Sequence, residues 1–222
     1  MKDRIGLFGG TFDPIHNGHI RAAEEVQRAF GLDRVLFVPS HLPPHKQGGP
    51  GASPVDRLRM VELACEGHPG FVASPIEVEA GGRSYSFLTL ARIRELDPEA
   101  EVFFILGVDA FLEIGTWREH ERVLAECRFI VTGRPGFELE TATGVLGGRL
   151  QADIRQVAGR GPVDEDLLAR ARVFLLPIGA LDVSSTDVRE RIRRGRSLAG
   201  LVPSSVEAYI REHQLYLDRR GS

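Results

Sequence analysis

Four short runs of unbroken apolar residues constrain this chain more than any other feature: 35–38 (VLFV), 102–106 (VFFIL), 129–131 (FIV) and 173–176 (VFLL). A strand that is apolar on both faces must be covered on both faces, which is the situation of a parallel sheet held between two layers of helices. The segments between the runs read as helices. After a first short strand over 4–8, residues His19, Ala22, Ala23, Val26 and Phe30 recur at helical spacing until Gly31 stops the pattern. Strand, helix and the run at 35–38 then make one β-α-β unit.

The same reading continues down the chain. The proline- and glycine-rich stretch 39–51 is a loop, after which Ser53 caps a helix with Pro54 at its first position. Short strands are expected at 71–74 and 76–79, and a helix capped by Ser84 through Leu96. Another helix begins at 107–109, and helical patterns are weaker around 150–157 and 165–172. Two helices close the pattern, over 186–194 and 203–213. Alternating elements of this kind predict a doubly wound, mostly parallel α/β sheet with helices on both faces, whose ligand site lies beyond the carboxyl ends of the strands.

With 222 residues and 42% hydrophobic content, the expectation is a single domain over 1–222 that includes a C-terminal helical segment at about 184–214. A formal charge of −3 supplies no global basic field, so no nucleic-acid partner is expected. Cys65 and Cys127 lack disulfide or metal spacing and fit a reducing compartment. The first apolar run breaks at Gly9 and Gly10, too soon for a signal-peptide core, and no stretch reaches the length of a membrane span. A cytoplasmic protein without membrane contact is the expectation, with homo-oligomerisation left open.

The loop 9–19, GGTFDPIHNGH, joins the first strand to the first helix. Glycines let backbone amides approach an anion closely, and the helix start adds unpaired N–H groups and the positive end of its dipole. This outlines a phosphate site, yet it matches neither the P-loop nor the dinucleotide fingerprint. His16 and His19 bracket Gly18 within it, and no carboxylate or cysteine completes a metal set around them, so no metal ligands are assigned. A second helix start, Ser184-Ser185-Thr186-Asp187, has capping-box-like spacing and carries Arg189 one turn in, a combination suited to phosphates.

The string GGTFDPIHNGH resembles the HxGH signature of the nucleotidyltransferase superfamily, and its lead-in resembles the nicotinate-nucleotide adenylyltransferase branch. The likeness spans most of the chain: Val38-Pro39, Pro43-Pro44-His45-Lys46, Ser84-Tyr85-Ser86, Gly107-Val108-Asp109, Thr116-Trp117, Arg134-Pro135-Gly136 and Val183 through Arg189 follow in family order. The resemblance implies transfer of AMP from ATP to nicotinic acid mononucleotide, with Mg²⁺ carried mainly by the ATP phosphates. It implies that Gly9, Gly10, Thr11, Phe12, Ser185 and Thr186 hold ATP, with Gly107, Asp109 and Arg134 on the adenosine side. His16, His19 and Arg189 are the implied catalytic residues. On the acceptor side it implies His45, Lys46, Tyr85, Ser86 and Trp117, the last stacking on the pyridine ring. Arg118 is added as a neighbour that the family does not supply, and Ser86 stands where threonine is usual.

In this reading the acceptor phosphate is itself the nucleophile, so neither a general base nor an enzyme nucleophile is required. The alternatives are another phosphorylated acceptor, such as nicotinamide mononucleotide or phosphopantetheine, and a nucleotide-binding sensor without turnover. Trp117 and Ser84-Tyr85-Ser86 argue against phosphopantetheine, and the chain lacks the lysine-rich second signature of an aminoacyl-tRNA synthetase.

Overall fold

In a computed structural model that describes residues 2–43, 51–133, 138–144, 153–157, 161–179 and 181–217, the apolar runs become the middle of one sheet. Its strands are β1 (Arg4–Gly10), β2 (Arg34–Pro39), β3 (Phe71–Ala73), β4 (Glu101–Gly107), β5 (Arg128–Thr132), β6 (Ile154–Gln156) and β7 (Val173–Leu176). They lie in the order β3-β2-β1-β4-β5-β7-β6, with Leu7 opposite Leu36 on one side and Phe104 on the other. Every pairing among the described residues is parallel.

Side-chain alternation divides each strand between two cores, one on each face. Phe37, Phe103, Ile105, Ile130 and Phe174 pack on one face, and Leu7, Val38, Phe104, Phe129 and Leu175 on the other. The helices that cover these faces are α1 (Asn17–Phe30), α2 (Pro54–Cys65), α3 (Ile76–Ala80), α4 (Ser86–Leu96), α5 (Val108–Leu112), α6 (His120–Glu126), α7 (Glu165–Arg170), α8 (Ser185–Arg193) and α9 (Ser204–Glu212). Burial pushes the Cys65 and Cys127 thiols up to about 12, so both remain inert thiols in the core.

Three expectations change. Residues 76–79 form helix α3 and not a strand: Pro75 fixes a turn at φ −80°, and Glu77 is drawn toward Thr89 of α4, whose hydroxyl donates to it at 2.5 Å. The pattern at 150–157 contains strand β6, because Ile154 pairs with Val173 at the sheet edge; residues 150–152 lie outside the described residues. Ser84 does not cap α4, whose N-cap is Tyr85; its Oγ instead accepts from the His41 N–H at 2.9 Å. The Ser53 cap is present, with its Oγ accepting from the Asp56 N–H at 3.1 Å.

The last helix seats on α2. Val206 and Ile210 are buried, the Ser205 hydroxyl donates to the Leu63 carbonyl at 3.2 Å, and the Tyr209 hydroxyl donates to Asp56 Oδ1 at 3.0 Å. The turn before it holds the start of α1, where the Asn17 N–H donates to the Leu201 carbonyl at 2.8 Å. The segment around Leu201 therefore packs beside the first loop.

Candidate active site

Strand order reverses between β1 and β4, so the loops that leave these neighbours diverge to opposite faces and open a crevice. The loop after β1 enters α1 through His16, whose extended backbone (φ −144°) makes it the N-cap. The His16 N–H donates to His19 Nδ1 at 3.2 Å, and the two imidazoles stack with centroids 3.6 Å apart. A backbone N–H only donates, so His19 Nδ1 is the acceptor and the ring's proton sits on Nε2. Thus His19 presents an N–H donor. Phe12 turns the loop with a left-handed backbone (φ 47°), and its buried ring packs edge-on against His19 at 5.1 Å and Phe8 at 5.7 Å. Gly18 permits the close approach of α8's entry: a Cβ there would lie 3.0 Å from both Val183 Cγ1 and His16 Nδ1.

The start of α8 faces this loop. Ser184 caps the helix as its spacing predicts, its Oγ accepting from the Asp187 N–H at 3.1 Å. The Ser185 hydroxyl donates to the Pro14 carbonyl at 2.9 Å. Arg189 donates through Nη1 to the Asp13 carbonyl at 2.6 Å and through Nη2 to Thr186 Oγ1 at 3.2 Å. Thr11, Phe12, His16, His19, Gly107, Asp109, Ser185, Thr186 and Arg189 line one cleft of about 430 Å³. The cleft combines two helix N-termini, hydroxyls, imidazoles and a guanidinium, a set of donors suited to a polyphosphate.

A second, smaller pocket of about 170 Å³ adjoins it, sharing Gly9, Thr11, Leu106 and Ala110 in its walls. Ser86 and Trp117 line it together, with Gly10, Ser84, Thr89 and Glu77. One part of the Trp117 ring packs edge-on against Phe104 at 5.7 Å, and the residue is only half-buried, which leaves ring surface for a flat ligand. Tyr85 and Arg118 are not in this wall. They pair with each other instead, the guanidinium carbon lying 5.2 Å from the ring centroid. His45, Lys46 and Arg134 lie outside the described residues. Burial raises the Glu77 carboxyl above its ordinary value, opposed by hydrogen bonds from Thr89 and Ser84 and by the charge of Arg57.

Three residues that hold the site receive no role in the sequence reading. Arg57 of α2 is fully buried and donates to three backbone carbonyls: Thr11 at 2.7 Å, His41 at 3.0 Å and Ala52 at 3.3 Å. It braces the first loop against the second, and its place on the apolar stripe with Met60, Val61 and Ala64 was a signal that could have exposed it. Burial lowers its pKa, and the Asp13 charge opposes that only in part. The other two are Asp13 and Tyr216, whose contact is described below. Replacing Arg57 with methionine keeps the bulk and orphans the carbonyls, each worth about 1–3 kcal/mol when unsatisfied. Chemical denaturation is expected to show a loss of roughly 3 kcal/mol or more; a loss below about 1 kcal/mol would mean that water replaces the brace.

A larger cleft, about 1060 Å³, lies at the amino-terminal ends of the strands. Its charges neutralise one another: Arg4 pairs with Glu101 and Glu165, and Arg128 with Glu101. Arg94 and Arg172 are spent on backbone carbonyls of the α6 end and its surroundings. It is a structural network at the end of the sheet remote from the crevice.

The family model for cytidylyltransferase-like proteins matches residues 7–191. A probable nicotinate-nucleotide adenylyltransferase of Desulfatibacillum aliphaticivorans is 43% identical over 217 residues, covering 96% of this chain and 100% of the relative. One of Geotalea uraniireducens is 43% identical over 219 residues, covering 98% and 100%. Among solved structures, the nicotinic acid mononucleotide adenylyltransferase of Plasmodium falciparum complexed with NaAD has the same fold, with a TM-score of 0.71 at 19% identity over 96% of this chain and 97% of that one. The chain belongs to the cytidylyltransferase-like family and, within it, to the nicotinate-nucleotide adenylyltransferases.

Proposed function

We propose that this chain transfers AMP from ATP to nicotinic acid mononucleotide, forming nicotinic acid adenine dinucleotide and pyrophosphate in NAD biosynthesis. The observation that carries the reading, beside the family, is that a donor-rich cleft and an aromatic pocket meet at Gly9 and Thr11. A triphosphate in the first and a pyridine nucleotide in the second would bring the α-phosphorus and the acceptor phosphate together at that wall.

An oxygen of the acceptor phosphate attacks the α-phosphorus in line, and the bond from that phosphorus to the bridging oxygen of pyrophosphate breaks. The nucleophile is already an anion at neutral pH, so no proton needs to be taken from it. Catalysis then rests on alignment and on donors placed where charge grows. Thr11, His16 and His19 serve the α-phosphate, and the α8 start with Ser185, Thr186 and Arg189 serves the leaving phosphates. Gly107 and Asp109 sit on the adenosine side, and Ser86 and Trp117 on the acceptor side.

We assign Mg²⁺ to the ATP phosphates, as their counter-cation. Bound there, it would neutralise charge on the phosphates. The whole chain acts as one domain in this reading, since the α8 and α9 segments complete the first loop. We place the reaction in the cytoplasm; no described helix is long and apolar enough to cross a membrane.

Mass analysis of products from ATP, Mg²⁺ and a panel of phosphorylated acceptors tests the function. The dinucleotide and pyrophosphate are expected with nicotinic acid mononucleotide; ATP binding without pyrophosphate release would make the chain a sensor. For Arg189→Ala, weaker ATP binding and turnover lowered by about 10-fold or more are expected, the loss of one charge-assisted contact. Unchanged values would leave the α8 start a helix cap only.

A further inference from the structure

Asp13 is 3% exposed, and its carboxylate is met from three directions. Oδ1 accepts from the Ala52 N–H at 3.0 Å and from the Tyr216 hydroxyl at 2.9 Å, while Oδ2 accepts from the Gly51 N–H at 2.8 Å. The same Oδ2 lies 3.7 Å from Arg189 Nη1, which donates to the Asp13 backbone carbonyl and not to the carboxylate. Tyr216 is itself 9% exposed, holds a left-handed backbone (φ 65°) and packs against Gly51. Burial and the neighbouring Asp13 charge push its phenol pKa up, so it remains a donor. A buried carboxylate short of donors draws on the nearest cation. Here three hydrogen bonds share its charge, and Arg189 adds only a long ion pair at 3.7 Å, its hydrogen bonds going to the Asp13 carbonyl and Thr186.

The geometry points to Tyr216 as a positioning residue for the triphosphate subsite, acting through Asp13 on Arg189. The inference rests on the reading of Arg189 as a triphosphate contact. Without the hydroxyl, Oδ1 keeps one donor, and closing the guanidinium onto the carboxylate becomes the favourable way to meet the charge. That movement withdraws Arg189 from the cleft. The acceptor pocket, which contains neither residue, is untouched.

The test is Tyr216→Phe, with steady-state kinetics for both substrates and ATP binding measured without acceptor. KM for ATP and the ATP dissociation constant are expected to rise together by about fivefold, with KM for the acceptor within about twofold of wild type. In an Arg189→Ala background the same change should have no effect on ATP binding, because the residue it acts through is gone. A merely structural role would lower the melting temperature or the active fraction and move neither constant. Unchanged ATP binding in the folded variant, an equal rise in both KM values, or an undiminished effect in the Arg189→Ala background would overturn the inference. Should the variant fail to fold, 3-fluorotyrosine placed at 216 substitutes for it: the more acidic phenol is a stronger donor, so ATP should bind about twofold tighter, and unchanged or weaker binding overturns the proposal. Absence of turnover in the wild type would instead count against the proposed reaction, since ATP binding is read separately from it.

Discussion

A folded His19→Ala variant should lose about 10²-fold or more in kcat, because a donor aimed at charge that grows toward the transition state is worth roughly 3 kcal/mol or more. The geometry separates this role from capping. His19 accepts the His16 N–H through Nδ1, which leaves the proton on Nε2 as the group available to a phosphate oxygen. Losing that backbone hydrogen bond costs only about 1 kcal/mol of stability. Helix α1 keeps its hold on the sheet through Ile20, Ala23, Val26 and Phe30, all buried. Thermal denaturation followed by circular dichroism should therefore show a near-native transition beside the collapsed rate. A kcat close to wild type in such a protein would reduce His19 to half of a capping arrangement.

The second large effect concerns the acceptor: nicotinic acid mononucleotide should be preferred over its amide by about 10²-fold or more in kcat/KM. Both rings would stack equally on Trp117, so the choice falls to what meets the carboxylate or the amide. The start of α4 and the Ser86 hydroxyl offer donors there, which suit a group that only accepts and mismatch an NH₂ that donates. Glu77 is the acceptor in the same wall, but the Thr89 and Ser84 hydroxyls already occupy it. Arg118 stands over Tyr85, outside the pocket, so Arg118→Ala should leave the ratio nearly unchanged. Equal kcat/KM for the two mononucleotides on wild type would refute acid selectivity, and a collapse of the ratio in Arg118→Ala would move the arginine into the acceptor site.

Much of this was legible in the chain because the information was local. The runs at 35–38 and 102–106 sit on the central strands, where burial on both faces leaves no choice of side chain. The first loop and the Ser184 cap were readable for a similar reason: their hydrogen bonds span a few residues. Residues 76–79 and 154–156 were not, since segments of three or four residues take whichever form their neighbours permit. The braces of the site were hidden by distance. Arg57 reaches Thr11 across 46 positions, and Asp13 reaches Gly51 across 38, pairings that no periodicity encodes. The resemblance placed Tyr85 with the acceptor, whereas its ring is turned toward Arg118, a local pairing that the motif alone does not carry.

The hydrogen bond from Tyr216 to Asp13 joins positions 203 apart, and this orders events during translation. Strands β1 and β2 with helix α1 emerge first from the ribosome, before β4, which lies beside β1 in the sheet, has been made. Asp13 then lacks the last of its donors, and Arg189 has not yet been synthesised. A nascent chain that ends before Tyr216 therefore holds Asp13 with one donor fewer, and ATP should stabilise the partly made protein less than the chain that includes it. Full affinity for the nucleotide arrives only with Tyr216, after every residue that lines the cleft has been made.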